Sequence, residues 1–170
     1  HIGPRDHEIP EMLEMVGAQD TKAVQVAGPS GSLIGEADFD RQICYGDLPT
    51  GGAMMIFNST RNLLNVVGNF MDFFIEESCG SCATCRITSQ MLRNRITKIQ
   101  DGHGVAKDLD DMMEWADVMK ASRCGLGMSA CNPVITSVTN FRGMYEELIQ
   151  KDVEFDEGFD LEASIQESAA

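Results

Sequence analysis

The run Cys79-Gly80-Ser81-Cys82-Ala83-Thr84-Cys85 constrains this chain more than any other segment. Three thiols at successive two-residue gaps sit in one short connection, so the backbone must turn tightly there and bring them to one face. Such spacing suits three thiolates on a single metal centre, each bound to a different iron of a cubane. Glycines beside the cysteines let backbone N–H groups approach the cluster sulfurs and tune the potential. The six cysteines are a poor disulfide framework, because such frameworks belong to small secreted chains. A chain of 170 residues, 43% hydrophobic, buries a core without covalent staples.

A cubane needs a fourth ligand, and helical periodicity indicates where it comes from. After Asn58 a helix is expected over 60–76, with Leu63, Val66, Val67, Phe70, Met71 and Phe74 inward and Asn62, Asn65, Asn69, Asp72 and Glu76 wet. A second, over 84–100, turns Ile87, Met91, Ile96 and Ile99 inward, and Asp101-Gly102-His103-Gly104 ends it. A third, over 107–121, buries Leu109, Met112, Met113, Ala116 and Met119. The fourth starts where Asn132 caps and Pro133 takes the first helical position, and carries Val134, Val138, Phe141, Tyr145 and Leu148.

Four amphipathic helices with short connections suggest an antiparallel bundle, in which the first and third connections lie at the same end. The cysteine triplet occupies the first of these, and Arg123-Cys124-Gly125-Leu126-Gly127 the third. Cys79, Cys82, Cys85 and Cys124 are therefore the candidate ligands of one [4Fe-4S] cluster. Free N–H groups at the start of the second helix favour the anionic site, and Arg86 and Arg123 stand beside ligands, although both also read as ordinary surface arginines. Zinc is the rival occupant, since four thiolates suit a tetrahedral ion; zinc sites more often use two separated cysteine pairs.

Ahead of the helices, residues 1–57 read as a small α+β unit. A helix is expected over 8–16, with Pro10 in its first turn and Gly17 at its end. Strands are expected over 22–27, 32–34, 41–45 and 53–57, with Gly28-Pro29-Ser30-Gly31 as a turn. The fold class is thus α+β: this unit, then a helical domain over 58–150, then an acidic tail over 151–170. Seven acidic residues and no basic one lie between Asp152 and Glu167, which reads as a solvated tail.

A net charge of −14 excludes a phosphate-backbone partner. No apolar run approaches the roughly 18–20 residues of a membrane span, and the start lacks a signal peptide, so a cytoplasmic location is expected. The chain begins without methionine, which favours a piece of something longer. Gly28-Pro29-Ser30-Gly31 is no phosphate loop, because no Lys-Ser or Lys-Thr pair follows. No cysteine–histidine pairing supports nucleophilic catalysis. Cys44, in a strand, and Cys131 read as buried thiols, His103 as a loop residue, and Trp115 and the eleven methionines as packing.

Glu76-Glu77-Ser78-Cys79-Gly80, the two following cysteines and Arg86 resemble the E-S-C-G-x-C-x-x-C-R signature of the NADH-binding flavoprotein subunit of respiratory complex I and its relatives. Cys124 matches that family's fourth ligand. The segment from Ala23 to Gly31 and Thr50-Gly51-Gly52 resemble its soluble-ligand-binding, ubiquitin-like β-grasp domain, which implies that domain over 1–57, without its opening strand. Lys107-Asp108-Leu109-Asp110-Asp111-Met112, the Ser122–Gly127 stretch and Phe159-Asp160-Leu161 are most similar to the diaphorase subunit of NAD-reducing nickel-iron hydrogenases, with NAD-dependent formate dehydrogenases as the alternative.

The resemblance implies a one-electron relay between FMN, reduced by NADH or reducing NAD, and clusters on neighbouring subunits, among them a [2Fe-2S] thioredoxin-like subunit and hydrogenase or formate dehydrogenase subunits. The family's glycine-rich G-R-G-G-A-G flavin segment has no counterpart here, so FMN and NAD(H) are expected on another domain or chain and the chain is not a complete enzyme alone. Two further readings stand beside the relay: a zinc-stabilised interaction domain, and a cluster with only a structural role.

Overall fold

A computed structural model describes residues 7–150. Strand β1 (His7–Glu8) leads into helix α1 (Ile9–Met15), and β2 (Thr21–Val26), β3 (Ser32–Gly35), β4 (Gln42–Ile43) and β5 (Met54–Asn58) follow. The helices are α2 (Leu63–Glu77), α3 (Ala83–Gln100), α4 (Ala106–Met119), α5 (Gly125–Ser129), α6 (Asn132–Asn140) and α7 (Arg142–Glu146). The expected acidic tail lies outside the described residues.

In β2 alternate side chains face opposite ways, and both faces are buried. Val24 and Val26 pack with Ile9 of α1, Ile34 and Leu48, whereas Ala23, with Leu33 of β3, joins the core of the helices. The sheet is therefore the middle layer, with α1 on one side and the helices on the other. Its order is β3-β2-β5, with both pairings antiparallel. The β2–β3 turn holds Ala27 and Gly28 at positive φ (67° and 66°), and α1 stops before Gly17 at φ 64°.

The strand expected over 41–45 shrinks to Gln42–Ile43, which pairs with β1 in a separate two-stranded sheet. Cys44 consequently lies half-buried after the strand, and not in a buried strand interior. The chain turns there because Asp47 accepts Arg41 Nε (2.8 Å) and the Gln42 N–H (2.9 Å). The Arg41 guanidinium holds the Asp47 carboxyl below the usual carboxylate range.

α2 begins at Leu63, later than expected, because Asn62 Oδ1 accepts the Asn65 N–H (3.1 Å) and so caps the helix. In α3 the buried face is Cys85, Thr88, Ser89, Leu92, Ile96 and Ile99, and Ile87, expected inside, is 52% exposed. Ser89 tolerates burial because its hydroxyl donates to the Cys85 carbonyl (2.8 Å). Buried Asp108 ties α3 to α4: it pairs with Arg95 and Lys98 and accepts the Val105 N–H (2.8 Å). Arg95 also lies over the Trp115 ring at 4.8 Å, so that tryptophan does more than fill space. Met71, Met112 and Met119 are core residues as expected, but Met15 and Met128 are largely exposed.

The single fourth helix expected through Leu148 is broken at Phe141 (φ −129°, ψ 33°) into α6 and α7. Bonds to the sheet explain the break. Thr136 Oγ1 accepts the Leu33 N–H (3.0 Å) and Asn140 Nδ2 donates to the Leu33 carbonyl (2.7 Å), so α6 covers the open edge of β3. Asn132 does not cap: the chain is already helical at Cys131, and the Asn132 amide donates to the Ser30 carbonyl (2.6 Å). Leu148 is exposed, whereas Tyr145 is fully buried against Ser137 (2.7 Å).

Burial pushes the Tyr145 phenol up to about 12 from its ordinary value of 10.0. The folded state holds the proton more tightly than the unfolded chain, so the contribution is complete below pH 10 and is lost as pH rises towards 12. Stability should fall by about 1.4 kcal/mol per pH unit across that window. Denaturant titrations at pH 9, 10 and 11 check this, and Tyr145→Phe should make the slope shallower, leaving the part owed to buried Cys131.

Candidate metal centre

Two connections meet at the site. α2 ends at Glu77, where Ser78 takes an extended backbone (φ −69°, ψ 126°), and Gly80, at φ 71°, turns the chain back. Cys82 is the N-cap of α3, which places Cys85 in the first helical turn. The turn is braced from both sides. Gly80 N–H donates to Ser78 Oγ (3.2 Å), and Arg86 donates from its guanidinium to the Gly80 carbonyl (2.6 Å). Arg86 thus holds the shape of the cysteine loop, a role its neighbourhood in the sequence did not reveal.

The second connection carries Cys124 as the N-cap of α5. Contact at Gly127 sets its distance from the triplet. A Cβ there would stand 2.6 Å from Ser122 Cβ and 3.3 Å from Cys85 Cβ, so only glycine lets α5 approach α3 this closely. Thr84 and Ser122 share a hydrogen bond (3.2 Å) that joins the two connections directly.

Cys79, Cys82, Cys85 and Cys124 line one cavity of about 140 Å³, completed by Glu77, Ser78 and Leu126. All four are free thiols; Cys85 is buried, Cys82 half-buried, and Cys79 and Cys124 exposed. The structure brings the four expected residues together and leaves the other two cysteines elsewhere. Cys131 is buried and burial pushes its thiol up, which suits an inert core residue. His103 is exposed in the turn after α3.

The shape of the site bears on its occupant. A single zinc draws its sulfurs to about 2.3 Å from one point. The four cysteines line a cavity of about 140 Å³ that draws on both connections. Four thiols around one cavity offer the donor set of a [4Fe-4S] cluster, one sulfur for each iron.

Residues 65–148 match the family described as the NADH-ubiquinone oxidoreductase-F iron-sulfur binding region. Through these residues, the chain belongs to that family. The match contains all four cysteines and both connections. The chain is 41% identical over 158 residues to the NAD-reducing hydrogenase HoxS subunit alpha of Cupriavidus necator, covering 91% of this chain and 26% of the relative. It is 33% identical over 132 residues to the NADP-reducing hydrogenase subunit HndC of Solidesulfovibrio fructosivorans, covering 74% and 27%. The fold superposes on the crystal structure of NAD+-reducing [NiFe]-hydrogenase in the H2-reduced state with a TM-score of 0.83 and 31% identity, covering 98% of this chain and 30% of that one. The chain therefore spans about a quarter of the length of these curated relatives.

Within this iron-sulfur region, periodicity missed Ser78, Thr84, Ser122 and Gly127. Their role lies in contacts between connections far apart in the chain; Ser78 had a signal in the E-S-C-G motif, and Ser122 and Gly127 in the stretch that resembles the diaphorase subunit. Among the described residues, no helix is long and apolar enough to cross a membrane.

Proposed function

We propose that Cys79, Cys82, Cys85 and Cys124 ligate one [4Fe-4S] cluster, through which the chain relays single electrons in an NAD(H)-linked oxidoreductase of the NAD-reducing hydrogenase type. The observation that carries this reading is the convergence of four free thiols from two connections on one cavity. When bound, such a cluster takes up and gives back one electron at a time.

The chain's own residues supply the rest. The first turn of α3 begins at Cys82 and contains Cys85, so its free N–H groups lie next to two of these cysteines and favour negative charge there. Arg86 and the Thr84–Ser122 bond keep the two connections in register, so little rearrangement accompanies a change of charge. Cys79 and Cys124 lie at the surface, leaving one side of the site within reach of a partner, whereas Cys85 closes the other side.

The remaining architecture fits this assignment. We read residues 1–57 as a β-grasp unit, 58–150 as a four-helix cluster-bearing domain and 151–170 as an acidic tail. FMN and NAD(H) bind outside this chain, on another domain or subunit, and a [2Fe-2S] thioredoxin-like subunit and the hydrogenase subunits complete a cytoplasmic assembly. Anaerobic purification should give a brown protein with about four iron and four sulfide per chain. Electron paramagnetic resonance should follow a reversible one-electron reduction. A colourless chain with one zinc, or a cluster that never accepts an electron, would overturn the reading.

A further inference from the structure

Ser78 is within hydrogen-bond distance of a ligand: its Oγ lies 3.5 Å from Cys85 Sγ, and it also accepts the Gly80 N–H at 3.2 Å. These contacts fix the direction of the first bond. A cysteine that binds iron does so as thiolate and has no proton to give. The Ser78 hydroxyl, whose oxygen is already engaged as acceptor by Gly80, has one proton to donate, and Cys85 Sγ lies within its reach.

Cys85 is also the ligand where such a bond weighs most. Its side chain is 5% exposed, so water does not compete, whereas Cys79 and Cys124 can be solvated directly. A hydrogen bond to a buried, charged sulfur strengthens as electron density on it rises, because the local dielectric is low. The reduced site carries one more negative charge than the oxidised site, so the bond favours reduction.

We propose that Ser78 is a positioning and tuning residue, whose hydroxyl donates to Cys85 Sγ and raises the reduction potential of the cluster. This rests on the cluster assignment above. It goes beyond that assignment by naming which non-ligand residue sets the potential, and by which atom.

The test is a redox titration, followed by electron paramagnetic resonance, of the iron-replete chain and of Ser78→Ala and Ser78→Thr, each with iron and sulfide analysis. Ser78→Ala should keep its iron and shift the one-electron equilibrium about tenfold towards the oxidised form, which is about 59 mV lower in potential. Ser78→Thr, which retains a hydroxyl, should stay near the parent value. An unchanged potential in iron-replete Ser78→Ala would overturn the proposal. So would loss of iron from Ser78→Ala with retention in Ser78→Thr, since the hydroxyl would then only brace Gly80. A parent chain without any iron-sulfur signal is a separate failure, that of the cluster assignment, and is seen before either variant is made.

Discussion

Replacing Cys124 by serine is expected to remove the four-iron form of the cluster. Cys124 is the one cavity-lining thiol supplied from outside the triplet, and a cluster held by Cys79, Cys82 and Cys85 alone has one iron without a thiolate. Serine is a poor substitute, because its oxygen is a harder donor and is protonated at neutral pH. Altering a residue that merely supports a ligand costs roughly 10–100-fold in metal affinity, and losing a ligand should exceed that. Iron and sulfide per chain should fall well below the parent level, together with the visible absorption. Cys131→Ser is the matched control: it changes a buried thiol that lies outside the cavity and should leave the iron content unaltered. A Cys124→Ser protein with an unchanged spectrum would place the fourth ligand elsewhere.

That the sequence placed Cys124 beside the triplet follows from how helices constrain their connections. The apolar stripes of 60–76, 84–100 and 107–121 are long and regular, and α2, α3 and α4 form close to those bounds. Once the helices are known, the cysteine-bearing connections are identified as well. Where the reading failed, long-range contacts outweighed local pattern. Ile87 looked like a core residue and is exposed, because the inward face of α3 at that level belongs to Thr88 and Ser89, whose polarity hid them. A continuous helix through Leu148 gave way to α6 and α7 because Thr136 and Asn140 satisfy the β3 backbone, 103 and 107 positions away in the chain. Strand β1 is two residues long and has no period to detect. The proposed ligands stood out because the chemistry requires cysteine; the residues packed around them are small and common, and no composition marks them out.

Gly127 is the sharpest case, and Gly127→Ala should damage the site without touching a ligand. The added methyl would sit 2.6 Å from Ser122 Cβ, 2.9 Å from Ser122 Oγ and 3.3 Å from Cys85 Cβ. Carbon atoms in good contact lie about 3.5–4.0 Å apart, so α5 must retreat or Ser122 must move. Two effects oppose each other. Alanine is the better helix former by about 1 kcal/mol, while overpacking costs about 1–3 kcal/mol, leaving a net loss of up to about 2 kcal/mol. The functional effect is larger than this balance implies, because retreat of α5 carries Cys124 away from the triplet. A displacement of about 1 Å is enough to spoil a ligand geometry. Iron content should fall together with the unfolding midpoint. Gly125→Ala, two residues earlier in the same helix, meets nothing within 4 Å and should hold iron as the parent does. Adding Ser122→Gly to Gly127→Ala removes the obstructing Cβ and should restore part of the lost iron, although it also breaks the bond to Thr84. If Gly127→Ala instead retains iron as fully as Gly125→Ala, then Cys124 reaches the cavity without close contact between α5 and α3, and the geometry of the second connection has another cause.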